Sequence, residues 1–233
     1  MSNHSFSGLR VSAVAAAAIG LLVLSALPAA AATPPTGDKS YSQNGSTAEV
    51  SSTTCAEHGD NTVSCTDESI GAFVGKMTDS FSGVTHLNQV CVSVGTYTFD
   101  MTTGEYVGEP VFERGCATDL PSGVIRIDSK LAWATLAPTT LTIEQLVCDK
   151  ESCVPGPSRV VAVAGSWLGT GPVGSSKNRS SYDDGTCRYN FANKSSGRMA
   201  SFTGAIGNQS FETPDLGFLS SGRESFTSRC SEG

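Results

Sequence analysis

The chain has 233 residues with a formal net charge of −7, and its mean hydropathy of −0.06 is that of an ordinary globular protein. An acidic balance argues against nonspecific duplex binding, whose affinity comes from neutralising phosphates. At 16% charged residues and 39% hydrophobic residues the composition also excludes whole-chain disorder.

Arg10 supplies a positive start, Val11 to Leu27 an apolar run, and Pro28 followed by Ala29 to Ala32 a small-residue cleavage site. Residues 1–32 therefore read as a secretory signal cut after Ala32. Removing them takes one basic residue, Arg10, and no acidic one, so the remainder is more acidic still. The apolar run is too short and too diluted to be a membrane span, and the expectation is a secreted, extracellular protein without one. Thr33 to Thr47, rich in Pro, Gly, Ser and Asn, reads as a flexible leader.

Short β-prone runs separated by turn chemistry follow. They are predicted over Ser69–Met77, Gln89–Phe99, Tyr106–Arg114, Gly123–Asp128 and Lys130–Ala137, then over Thr139–Val147, Ser158–Leu168, Thr186–Phe191, Arg198–Ile206 and Ser225–Cys230. Leu141 and Ile143 alternate with Thr140, Thr142 and Glu144, the pattern of a half-buried strand. Val160 to Ala164 is apolar on both faces and leads to Trp167, so a central strand with Trp167 in the core is expected. The predicted fold is an all-β, disulfide-bonded antiparallel β-sandwich. Two arrangements fit it: two tandem similar modules over residues 48–122 and 123–233, or a single sandwich over 48–233.

All eight cysteines, Cys55, Cys65, Cys91, Cys116, Cys148, Cys153, Cys187 and Cys230, lie beyond the export signal, and an even count there reads as four disulfides. Zinc needs closer Cys or His pairs than these, and no pattern for a metal or other cofactor is present. A hairpin turning near Thr103-Gly104 would set Cys91 against Cys116; polar turns at Asp60 and at Lys150-Glu151 would likewise pair Cys55 with Cys65 and Cys148 with Cys153. Cys187 and Cys230 pair by elimination. Val90, Val92 and Val94 share one face while Tyr97 and Phe99 take the other, which suggests a bulge at Gly95.

The second half resembles a group of secreted bacterial β proteins through Leu131-Ala132-Trp133-Ala134, Ser166-Trp167-Leu168-Gly169-Thr170-Gly171 and Arg198-Met199-Ala200-Ser201. The resemblance spans about 100 residues. It implies export and β structure, and it implies no activity and no site residue.

No catalytic motif is present: there is no G-x-S-x-G nucleophile elbow and no H-E-x-x-H zinc motif. His58, within Glu57-His58-Gly59-Asp60, and His86 read as turn or strand-edge residues rather than bases. Asp183-Asp184-Gly185 is turn chemistry before it is a carboxylate pair or a calcium site. Trp133 and Trp167 read as core before they read as a sugar-stacking face. One segment departs from the acidic background. Between Ser175 and Arg198 lie Lys177, Arg179, Arg188, Lys194 and Arg198 with only Asp183 and Asp184 against them, interleaved with Tyr182, Tyr189 and Phe191. These five cations and two tyrosines are the candidate ligand-binding residues, for an anionic glycan or cell-wall polymer. Alternation predicts that Arg188 and Tyr189 point to opposite faces. The expected function is a secreted, non-catalytic extracellular or envelope binding module without nucleic acid as a partner. The alternatives are a secreted hydrolase and an extracellular protease inhibitor presenting the loop Asp149 to Ser152.

Overall fold

The computed structural model describes residues 39–80, 82–148 and 153–230. Ten strands follow in order: β1 Lys39–Glu57, β2 Thr62–Asp79, β3 Gly83–Asp100, β4 Val111–Ala117, β5 Ile125–Ile127, β6 Trp133–Cys148, β7 Cys153–Gly169, β8 Gly174–Asp183, β9 Cys187–Ile206 and β10 Gln209–Cys230. Every pairing is antiparallel, and the fold is all-β and disulfide-bonded, as the sequence predicts.

Side chains that accept hydrogen bonds from the backbone place the turns. Asp60 Oδ1 accepts from Thr62 N at 3.2 Å, and Asp100 Oδ1 accepts from Thr102 N at 2.6 Å and Thr103 N at 3.0 Å. Asp184 Oδ1 accepts from Thr186 N at 2.9 Å and Cys187 N at 2.7 Å. Such short polar side chains mimic the backbone of a turn. Gly207, at φ +61°, opens the two-residue turn between Ile206 and its register partner Gln209, a position that calls for glycine.

The strands are far longer than the predicted runs. β1 begins at Lys39, inside the stretch expected to be a flexible leader, because residues 39–50 pair with β10 on one side and residues 41–57 with β2 on the other. Lys130–Ala137 and Thr139–Val147 fuse into β6 across an irregularity between Leu136 and Thr139. Thr186–Phe191 and Arg198–Ile206 fuse into β9. β4 starts only at Val111, and the earlier part of its predicted run is loop with one bridge from Phe99 to Tyr106. No bulge occurs at Gly95, which stays in register with Asp67 and Phe112. Tyr97 and Phe99 instead occupy the outer face, their rings 6.5 Å apart, with Tyr106 edge-on to Tyr97 at 5.9 Å.

Three predicted disulfides form: Cys55–Cys65, Cys91–Cys116 and Cys187–Cys230. Each joins two directly opposed register partners. Cys148 and Cys153 are likewise opposed in the backbone register, while their side chains and the loop 149–152 lie outside the described residues.

Strand pairing runs β10-β1-β2-β3-β4-β6-β7-β9, and an added β9–β10 pairing joins its two ends. β9 changes partner along its length. Its residues 200–206 pair with β7, whereas residues 188–197 pair with β8. β10 runs beside both parts. Likewise β3 pairs with β4 only through residues 90–96, leaving 83–89 paired with β2 alone. Beyond the closed part the sheet therefore continues as an open apron of β8, β9, β10, β1, β2 and β3 in that order.

The inner face of the closed part carries the core. Trp167 and Phe202, each 1% exposed, pack with ring centroids 4.7 Å apart and planes tilted by 56°, and Phe211 lies 5.0 Å from Phe202. Trp167 Nε1 donates to the carbonyl of Glu49 at 2.9 Å, which satisfies the buried indole. The core cluster takes residues from both chain halves, among them Val50, Ile70 and Val90 and also Leu136, Val163 and Leu219. The Phe202 ring lies over Gly165 and Gly204, which are register partners. Phe73 does the same over the partners Gly45 and Gly75. An aromatic ring thus covers the bare backbone of a glycine pair at both places.

Candidate anion-binding face

In the apron the character of the inner face changes. Antiparallel partners point to the same side, and residues two apart along a strand repeat it. The inner residues Ala200, Phe202 and Ile206 of β9 are buried, and the same parity carries down the strand to Arg198, Lys194 and Arg188. Lys194 is directly opposite Lys177 of β8 and Arg223 of β10. The same row passes from Arg223 to Asn44 of β1, to Lys76 of β2 and to His86 of β3. One line across six strands therefore reads Lys177, Lys194, Arg223, Asn44, Lys76, His86, and every member is exposed.

The five predicted cations thus share the inner face, since Arg179 is opposite Ala192 and Arg188 is opposite both Asp183 and Arg229. Among the described residues none of them forms an ion pair; the pair that does form, Arg159 with Glu113 at 2.6 Å, lies elsewhere. Arg198 is partly committed, its Nε donating to the Thr170 carbonyl at 3.2 Å. Arg223, Arg229 and Lys76 escape the sequence reading because they lie outside the basic segment, and only strand register brings them beside it. Next to the row is a cavity of about 270 Å³ lined by Arg179, Ser181, Asn190, Ala192, Ser225 and Thr227, with the intervening Ser180 and Phe191.

Tyr182 and Tyr189 stand on the other side. They are register partners on the outer face, stacked at 6.1 Å, and Tyr189 continues to Phe226 at 6.3 Å. Tyr189 donates to Asp184 Oδ2 at 3.2 Å, and this bond raises its pKa above the usual phenol value. The backbone N–H groups of Cys187 and Thr186 hold the Asp184 carboxyl below the usual range. The expected opposition of Arg188 and Tyr189 holds, and no bulge brings the tyrosines to the cationic side.

Elsewhere the candidate residues do not converge on a reaction centre. His58 Nε2 is 2.8 Å from Ser64 Oγ, which is itself 2.8 Å from Thr98 Oγ1. Asp60 spends its Oδ1 on Thr62 rather than orienting His58, and both His58 and Asp60 are exposed. The Asp183 and Asp184 carboxylates accept turn N–H groups. Trp167 is core, whereas Trp133 is 43% exposed beside Leu168 on the outer wall.

No family model matches the chain. No curated protein matches it either. Among solved structures it is similar to the translocator domain of the autotransporter NalP from Neisseria meningitidis, at 11% identity over 84% of this chain and 89% of that one, with a TM-score of 0.19. A likeness that slight carries no functional argument.

Proposed function

We propose that this is a secreted, non-catalytic binding protein that holds an anionic extracellular or envelope polymer on the inner face of the apron. The single observation behind this reading is the exposed row containing Lys177, Lys194, Arg223 and Lys76. Like charges set directly opposite one another destabilise a sheet, by about 0.2–1 kcal/mol per pair. Stability alone would place an acid there, in a chain that has 22 of them against 15 basic residues. The local field also survives the overall negative charge, because screening cuts off charges farther than about 8 Å at physiological salt. Disulfides between neighbouring strands agree with an oxidising compartment.

The test is retention on immobilised dextran sulfate as salt is raised, comparing the parent with a Lys177→Ser, Lys194→Ser, Arg223→Ser variant. Serine suits exposed positions in these strands, so the fold should persist, as circular dichroism would report. The expected result is earlier elution and a shallower salt dependence for the variant. Equal elution of the two proteins would remove the row as a binding site.

A further inference from the structure

Resting on that reading, we infer that the ligand is a flexible chain of phosphate groups without aromatic or sugar rings in its backbone, and that it lies across the strands along the row from Lys177 to His86.

Direction follows from charge spacing. Across the sheet, Lys177, Lys194 and Arg223 succeed one another on adjacent strands, about 4.8 Å apart. Along β9 the nearest inner-face cations to Lys194 are Arg198 and Arg188, four and six residues away, or about 13 and 20 Å. A linear polyanion therefore meets the most positive charge by crossing the strands. The six-strand row spans five interstrand steps, about 24 Å.

The chemistry follows from what flanks the row. On one side, two residues along each strand, run Ser175, Ser196, Ser221 and Ser46, and among the described residues their hydroxyls bond no other protein group. On the other side lie Arg179, Ser225, Ser42 and Thr78. Lys and Arg with Ser, Thr and Asn hydroxyl or amide donors are the groups that contact phosphate oxygens. An arginine such as Arg223 can take a phosphate through two parallel bonds. Apart from His86 at the end of the row, this face carries no ring among the described residues: Tyr41, Phe73, Tyr182, Tyr189, Phe191 and Phe226 of the apron all have outer-face parity. Single-stranded nucleic acid depends on aromatic platforms for its bases, and pyranose rings are commonly held against aromatic faces in the same way. A chain of phosphates joined directly or through an acyclic polyol needs neither.

The experiment measures binding of the intact, oxidised protein to inorganic polyphosphate of graded length, poly(glycerol phosphate), polygalacturonate and poly-dT, each across a salt series. Polyphosphate and poly(glycerol phosphate) should bind, with affinity per phosphate levelling off once the chain spans about 24 Å. Polygalacturonate and poly-dT should bind at least about tenfold more weakly at equal charge concentration. Lys177→Ser with Lys194→Ser should flatten the log–log salt slope by about 1.4, and Arg188→Ser with Arg229→Ser, on the same face but off the row, should flatten it markedly less. Equal binding of polygalacturonate or poly-dT overturns the phosphate assignment while leaving an anion-binding face. Equal loss from the two double variants overturns the crossing direction. Absence of salt-dependent binding to every polymer overturns the underlying reading as well.

Discussion

The Phe202 ring over Gly165 and Gly204 supports a prediction that separates two kinds of close approach. A Cβ added at Gly165 would meet only ring atoms of Phe202, the nearest at 2.4 and 2.7 Å. A Cβ added at Gly204 would meet the same ring at 2.2 Å and also the carbonyl oxygen of Ala164 at 2.5 Å. Alanine in place of glycine ordinarily gains about 0.4–1 kcal/mol from the unfolded state, while overpacking a tight core costs about 1–3 kcal/mol. Gly165→Ala and Gly204→Ala should therefore each destabilise by about 1–2 kcal/mol. Phe202→Leu should itself cost about 1–3 kcal/mol, through lost volume and the lost ring contacts to Trp167 and Phe211. In the Phe202→Leu background the Gly165→Ala penalty should disappear, because the only obstacle is gone. The Gly204→Ala penalty should persist, because a backbone oxygen in the sheet cannot move aside. Urea titrations of the oxidised protein, arranged as two double-mutant cycles, give both coupling energies. An equal cost of Gly165→Ala in both backgrounds, or relief extending equally to Gly204→Ala, would refute the Phe202 ring as the distinguishing obstacle.

Replacing Cys91 and Cys116 by serine should cost about 3.5 kcal/mol in urea titrations, from the chain-entropy relation for a separation of 25; Cys187 and Cys230, 43 apart, should cost slightly more, about 4.0 kcal/mol. Glu68 is 8% exposed, its Oε1 has no hydrogen-bond partner among the described residues, and desolvation raises its pKa above the usual carboxylate value. A carboxyl with a raised folded pKa opposes folding above that pKa, and the opposition fades as pH falls through it. Glu68→Gln should accordingly raise the urea midpoint at pH 7, by about 1 kcal/mol in stability, and the gain should shrink in acid; a gain that is unchanged in acid would refute the desolvated charge as its cause.

Turn chemistry and hairpin symmetry were enough to pair Cys91 with Cys116, because both depend on residues close in sequence. Strand length depended on remote partners. Lys39 to Thr47 is a polar run that would be a linker in isolation, yet it is strand because β2 and β10 flank it. The apparent bulge at Gly95 arose from counting faces. Apolar residues occur on both sides of β3, the valines facing the core and Tyr97 and Phe99 packing with Tyr106 outside, so the face switch needs no extra residue. At the candidate site the basic segment of β8 and β9 was evident in sequence. Arg223 and Lys76 were not, since no local pattern places residue 223 beside residue 194 or links residue 76 to both through Asn44.

The seam between β1 and β10 joins the first described strand to the last. Twelve register pairs, from Lys39–Ser228 to Val50–Gly217, hold it together, and none of the described disulfides crosses it. A chain emerging from its N-terminus can pair β1 with β2 early, but the other edge of β1 must wait for almost the whole sequence. Contacts so distant along the chain form slowly, because loop closure has to come first. Amides at the β1–β10 seam should gain protection last when refolding is followed by pulsed hydrogen exchange. Until then β1 is an open template to which another copy's strand can add, and the interval before β10 arrives is when this protein is most exposed to aggregation.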